Sequence, residues 1–129
     1  MKQDLIEYVK AWISKAENDM LTAQRLIDIE PMILDNACFN CQQAIEKFLK
    51  AFLVFKNQDI KKTHNVDFLL EECSLLDNDF KGIDVKNIED YAVKGRYPDN
   101  SLMPTIDETK EYFQIAIEIR ELVLKKVKL

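Results

Sequence analysis

The chain has 129 residues, 47% of them hydrophobic and 32% charged, with a formal net charge of -5. That length is read as one domain over residues 1–129, burying on the order of two thirds of the surface an extended chain exposes. The acidic balance excludes a protein that grips duplex DNA through phosphate neutralisation alone, and two glycines and three prolines leave few turns, hence long helices.

Helix one is predicted from about Gln3 to about Glu30. Leu5, Val9, Trp12, Ala16, Ala23 and Leu26 follow alternating steps of four and three until Pro31 stops the run. Asp19 occupies the seam position between Ala16 and Ala23, so it either tilts to water or is a buried carboxylate needing a cationic or hydrogen-bonding partner. Helix two is predicted from about Leu34 to Lys56, with Asp35 or Asn36 available to cap it. Its seam is Leu34, Cys38, Cys41, Ile45, Phe48, Phe52 and Phe55. On the other side lie Gln43, Lys47 and Lys50 in one row, Gln42 and Glu46 in the next, and the apolar Phe39 and Leu53. A helix apolar over most of its circumference must be covered from more than one direction, and a second chain can supply part of the cover.

The loop from Asn57 to His64 is polar and basic, carrying Lys61, Lys62 and the single histidine. Asn65 is placed to cap a third helix ending near Leu76. A short fourth helix is expected from about Asp84 to Lys94, turning Ile88, Tyr91 and Ala92 inward and ending at Gly95. Residues Arg96 to Ser101 read as a turn-rich connector. Thr105 and Glu108 then form a capping box that opens a last helix, whose end carries Lys125, Lys126 and Lys128. The elements predict an all-α fold, an antiparallel up-and-down four-helix bundle with an additional short helix.

No apolar run approaches a membrane span, and Met1-Lys2-Gln3-Asp4 leads straight into an amphipathic segment rather than a secretory h-region. A cytoplasmic protein is expected. Cys38, Cys41 and Cys73 cannot all pair, and a reducing compartment fits them.

Cys38, Cys41, His64 and Cys73 offer donors for zinc, but both members of the C-x-x-C pair fall on an apolar helical seam, where thiols act as small hydrophobes. Glu17, Asp19 and Glu46 lack the Glu-x-x-His partner of di-metal bundles, and no phosphate-cradling glycine loop is present. No metal, cofactor or catalytic residue is assigned. The polar side of helix two carries the functional expectation: Asp19, Gln43, Glu46, Lys47, Lys50, His64, Arg96 and Tyr97 form a ligand-binding set, with cations for phosphate and a ring for stacking.

At these residues the chain resembles the HEPN domain, an all-helical family named for a nucleotide-binding domain of higher eukaryotes and prokaryotes. The resemblance lies in W-I-S-K-A-E-N-D-M from Trp12, C-F-N-C-Q-Q-A-I-E-K-F-L-K-A from Cys38, K-T-H-N-V from Lys62 and Y-A-V-K-G-R-Y-P from Tyr91, four signatures in order. It implies a homodimer of helical bundles, often acting beside a small nucleotidyltransferase in toxin–antitoxin-like modules. Relatives that are metal-independent ribonucleases carry Arg, four to six residues, then His. Here Arg96 is followed at those spacings by Ser101, Leu102 and Met103, and Arg25 and Arg120 fail the same test. The expectation is therefore a non-catalytic nucleotide- or RNA-binding protein. The alternatives are a ribonuclease toxin with a non-standard site using His64, and a protein–protein interaction module that binds no nucleotide.

Overall fold

The computed structural model describes residues 2–60, 62–86, 88 and 103–129. Among the described residues the helices are α1 (Gln3–Asp28), α2 (Leu34–Phe55), α3 (Val66–Leu76) and α4 (Ile106–Lys126), with a 3-10 turn at Asn78–Phe80 after α3. No strand occurs among the described residues, so the fold is all-α as the helical spacing predicts.

Helix α1 ends at Asp28, two residues before the expected stop. Ile29 is already extended and donates its N–H to Arg25 O. The turn into α2 is closed by the Ile33 N–H on Leu26 O at 2.9 Å. Neither Asp35 nor Asn36 caps α2. Ile33 holds the cap position without a side-chain bond, and Asp35 lies inside the first turn, where its carboxylate accepts from the Asn36 amide. At the other end Asn57 takes a left-handed conformation (φ 58°). The amides of Asn57 and Gln58 reach back to Val54 O and Leu53 O. Together these bonds satisfy carbonyls the helix would leave open, in the pairing of a Schellman motif with asparagine in the place usually held by glycine.

Asn65 caps α3, accepting the Phe68 N–H, and Thr105 with Glu108 forms the reciprocal capping box at α4. Lys125 and Lys126 fall in the last turn of α4, where the helix dipole favours cations. Lys126 also bridges Asp77 and Asp79, pinning α4 to the 3-10 turn.

Helix α2 is the centre. Cys38, Cys41, Ile45, Phe48 and Phe52 of its predicted seam are fully buried, and so are Ala37, Ala44, Leu49 and Ala51 on other sides. The cover comes from α1, α3 and α4 of the same chain. Helix α1 runs antiparallel to α2, with Asp19 beside Lys47 and Leu26 beside Ile33. Helix α4 runs in the sense of α2, because Cys38 meets Thr109 near the starts of both helices while Lys126 and Lys56 both act on Asp77 near their ends. The chain therefore returns between α3 and α4. Ile88 on that return is buried as expected, whereas the rest of the predicted fourth helix beyond it, with Tyr91, Ala92 and Gly95, lies outside the described residues.

Candidate functional site

The polar residues of α2 do not share one solvated face. Gln42, Glu46 and Lys50 sit one turn apart and are 3%, 2% and 5% exposed. Burial of such groups is tolerated only when their hydrogen bonds are met, and here they meet one another. Glu46 Oε1 accepts from Lys50 Nζ at 3.0 Å and lies 2.7 Å from His64 Nδ1, while Oε2 faces Gln42 Nε2 at 3.4 Å. The Gln42 amide also donates to the backbone carbonyl of His64 at 3.1 Å, and Gln43 donates to Gln42 Oε1 at 3.1 Å. The loop ahead of α3 is thus held on α2 twice, through the ring of His64 and through its carbonyl.

Lys50 extends beneath α1, with its ammonium 5.4 Å from the centroid of the Trp12 ring. A cation over an indole face gains about 0.5 to 2 kcal/mol, more as water is excluded. The indole N–H is itself buried and meets no acceptor among the described residues. The spacing of α1 places Trp12 on its apolar seam. Its role toward Lys50 depends on which faces of α1 and α2 meet, a fact that no single-helix pattern contains.

Lys47 faces a different neighbour. Its ammonium lies 2.6 Å from Asp19 Oδ2, with the two side chains 22% and 19% exposed. Asp19 is therefore a half-buried carboxylate with a cationic partner. Glu17, two residues before it, pairs instead with Arg120 of α4.

The expected ligand set is split by this arrangement. His64 presents a side chain that is 80% exposed, and Gln43 and Lys47 on α2 are half-buried. Glu46 and Lys50, expected on the surface, lie beneath it, because the carboxylate and ammonium neutralise each other under α1 and the loop. Lys62 is exposed two residues before His64. Lys61, Arg96 and Tyr97 lie outside the described residues.

The cysteines are free and buried. Burial pushes the Cys38 thiol up to about 11 and the Cys73 thiol to about 12, and raises Cys41 further. Cys38 donates to Thr109 Oγ1 at 3.4 Å and Cys73 to Leu49 O at 3.6 Å. Such thiols are packing groups rather than nucleophiles. Among the described residues no three His, Cys, Asp or Glu side chains come together to hold a metal. A hollow of about 770 Å³ lies elsewhere, between the start of α1 and the end of α2, lined by Lys2, Asp4, Leu5, Tyr8, Phe55 and Asn57. It includes none of the polar row, and its one cation and one anion offer no convergent recognition of charge.

A central helix wrapped by three others, with a buried polar row tied to a histidine loop, defines an all-helical bundle whose chemistry is concentrated on one helix. A model of the HEPN domain matches residues 9–128, and the chain belongs to that family. The fold is similar to the crystal structure of ST0689, an archaeal HEPN homologue, with a TM-score of 0.67 and 24% identity over 99% of this chain and 100% of that one. No curated protein matches the sequence. No helix among the described residues is long and apolar enough to cross a membrane.

Proposed function

We propose that the protein binds the phosphate groups of a nucleotide or a single-stranded RNA segment at the rim formed by Gln43, Lys47 and His64, and does so without catalysis. The observation that carries this reading is the outward imidazole of His64 seated on a buried, internally neutralised Glu46–Lys50 pair. A buried ion pair is an expensive way to fill a core, and apolar residues of the same volume do as well or better for stability. Its presence here is accounted for if it positions a group that works at the surface. The exposed Lys62, two residues before His64 in the same loop, adds a positive charge in a chain that is acidic as a whole.

Membership of the HEPN family supports two wider elements of the proposal: assembly as a homodimer, and action with a nucleotidyltransferase partner in a toxin–antitoxin-like module. Arg96 and Tyr97 belong to the proposed ligand set through their residue types, a cation for phosphate and a ring for stacking. Calorimetric titration with ATP and with a short single-stranded RNA should give saturable heats that Lys47→Met and His64→Ala weaken. Flat titrations with both overturn the reading.

One observation favours a second reading. An imidazole oriented by a carboxylate is an arrangement used for general base catalysis, so a ribonuclease with a non-standard site is the alternative. Incubation with total RNA separates the two: cleavage that disappears in His64→Ala supports the enzyme, and intact RNA removes it.

A further inference from the structure

We propose that anion binding at this rim takes up a proton on His64, because Glu46 fixes which ring nitrogen is left for the ligand. The inference rests on the phosphate-binding reading above and specifies how that site is regulated.

A neutral imidazole has one N–H and one bare lone pair, and its neighbours decide which nitrogen holds which. Here Nδ1 lies 2.7 Å from Glu46 Oε1. The same oxygen accepts from Lys50 Nζ at 3.0 Å, so a carboxyl proton placed on it would point at an ammonium. Glu46 is therefore the acceptor, and Nδ1 carries the hydrogen. Neutral His64 then presents Nε2 to solvent as a lone pair, which repels a phosphate oxygen instead of binding it. Protonation changes the sign of the contact: Nε2 gains an N–H and the ring a positive charge, while the Nδ1 bond to Glu46 is kept and strengthened.

The surrounding charges allow the switch. From α2, Glu46 faces the ring and Lys50 sits behind it on the same carboxylate oxygen. Lys47 is tied to Asp19 of α1. Lys62 precedes the histidine in its loop, and Asp67 follows it in the first turn of α3. The Glu46–Lys50 pair is neutral in sum, so the charge gained by His64 is displayed rather than cancelled. Its ring is 80% exposed, so ligand and proton both reach it from solvent.

The sign follows directly. Affinity is greatest at low pH, where His64 is charged, and falls as the histidine loses its proton. A charge-assisted hydrogen bond gained or lost corresponds to about a tenfold change in affinity. The test measures binding of a 5′-hydroxyl oligouridylate of about ten nucleotides, and separately of ATP, at about pH 5.5 and about pH 8. Wild type is compared with His64→Gln, which offers an amide donor at either pH. The wild-type ratio of affinities should exceed that of the variant about tenfold, a comparison that cancels the ligand's own titration. Equal ratios overturn the coupling and leave the phosphate-binding reading standing, whereas no binding of either probe at either pH overturns both. A ligand-free measurement tests the geometry independently. Long-range ¹H–¹⁵N spectra of the neutral ring should show hydrogen on Nδ1, and finding it on Nε2 overturns the inference whatever the binding result.

Discussion

Two stripes of α2 are equally hidden from water and are built in opposite ways. The dry stripe of Cys38, Cys41, Ile45, Phe48 and Phe52 meets α4 and the rest of the core by packing, with a single weak bond from Cys38 Sγ to Thr109 Oγ1. The wet stripe of Gln42, Glu46 and Lys50 is no more exposed, yet each member has named partners in the others, in His64 or in Trp12. Removing a group from the first stripe leaves a hole, while removing one from the second leaves a charge. The difference teaches that burial alone does not identify core. The wet stripe closes its own hydrogen bonds and ends at an exposed imidazole, which is the support the proposed site requires.

The largest expected effect probes the dry stripe. Phe48→Ala should cost about 4 kcal/mol in urea unfolding, since the side chain is fully buried and its cavity cannot fill. A cost below about 1 kcal/mol would mean that α2 is not the packed centre.

The wet stripe is broken next. Glu46→Ala should cost about 3 kcal/mol by leaving the Lys50 ammonium buried without its partner. The paired change Glu46→Leu with Lys50→Met should bring stability back to within about 1 kcal/mol of wild type, or above it, while phosphate binding stays lost. If the double variant is as unstable as the single one, the pair is structural and the contrast between the stripes fails.

Alkaline pH sharpens the comparison from the thiol side. Burial holds Cys38 at about 11 against an ordinary 9.0, and Cys73 at about 12. A folded-state value raised in this way contributes stability that is complete below the ordinary value and is lost as pH climbs through the folded one. Urea midpoints should therefore decline above about pH 9 and continue falling toward about 11 to 12. Cys38→Ala should soften that decline, and an unchanged slope would show that its thiol ionises freely in the fold.

The smallest effect belongs to the rim. Lys47→Met should change stability by less than about 1 kcal/mol, because the Asp19 pair is partly open to solvent and screened. It should nonetheless weaken binding of ATP or RNA. A large stability loss without a binding loss would move Lys47 from the proposed site into the scaffold.

Much of this was legible in the chain itself. The four and three spacing located α1 and α2. Asn65 and the Thr105–Glu108 box announced the starts of α3 and α4, since a cap and its helix lie within four residues of each other and local bonds decide both. Asp19 was marked by being the wrong residue type for its seam position, and a cation did answer it. At α2, Asp35 and Asn36 have capping chemistry but stand two and three residues past the cap position, inside the first turn. The left-handed Asn57 that ends α2 went unread, because asparagine occupies turns of several kinds.

Periodicity and capping, then, determined that this chain is helical, where its helices begin and which residues of α2 are polar, because those properties depend on neighbours close in sequence. Only the tertiary structure decided that Glu46 and Lys50 lie under the surface, that Trp12 covers the ammonium and that His64 alone of that group faces outward. Those outcomes depend on which side of α2 is taken by α1 and by the loop before α3. Contacts between residues far apart in the chain set that choice, and no pattern within one helix records it.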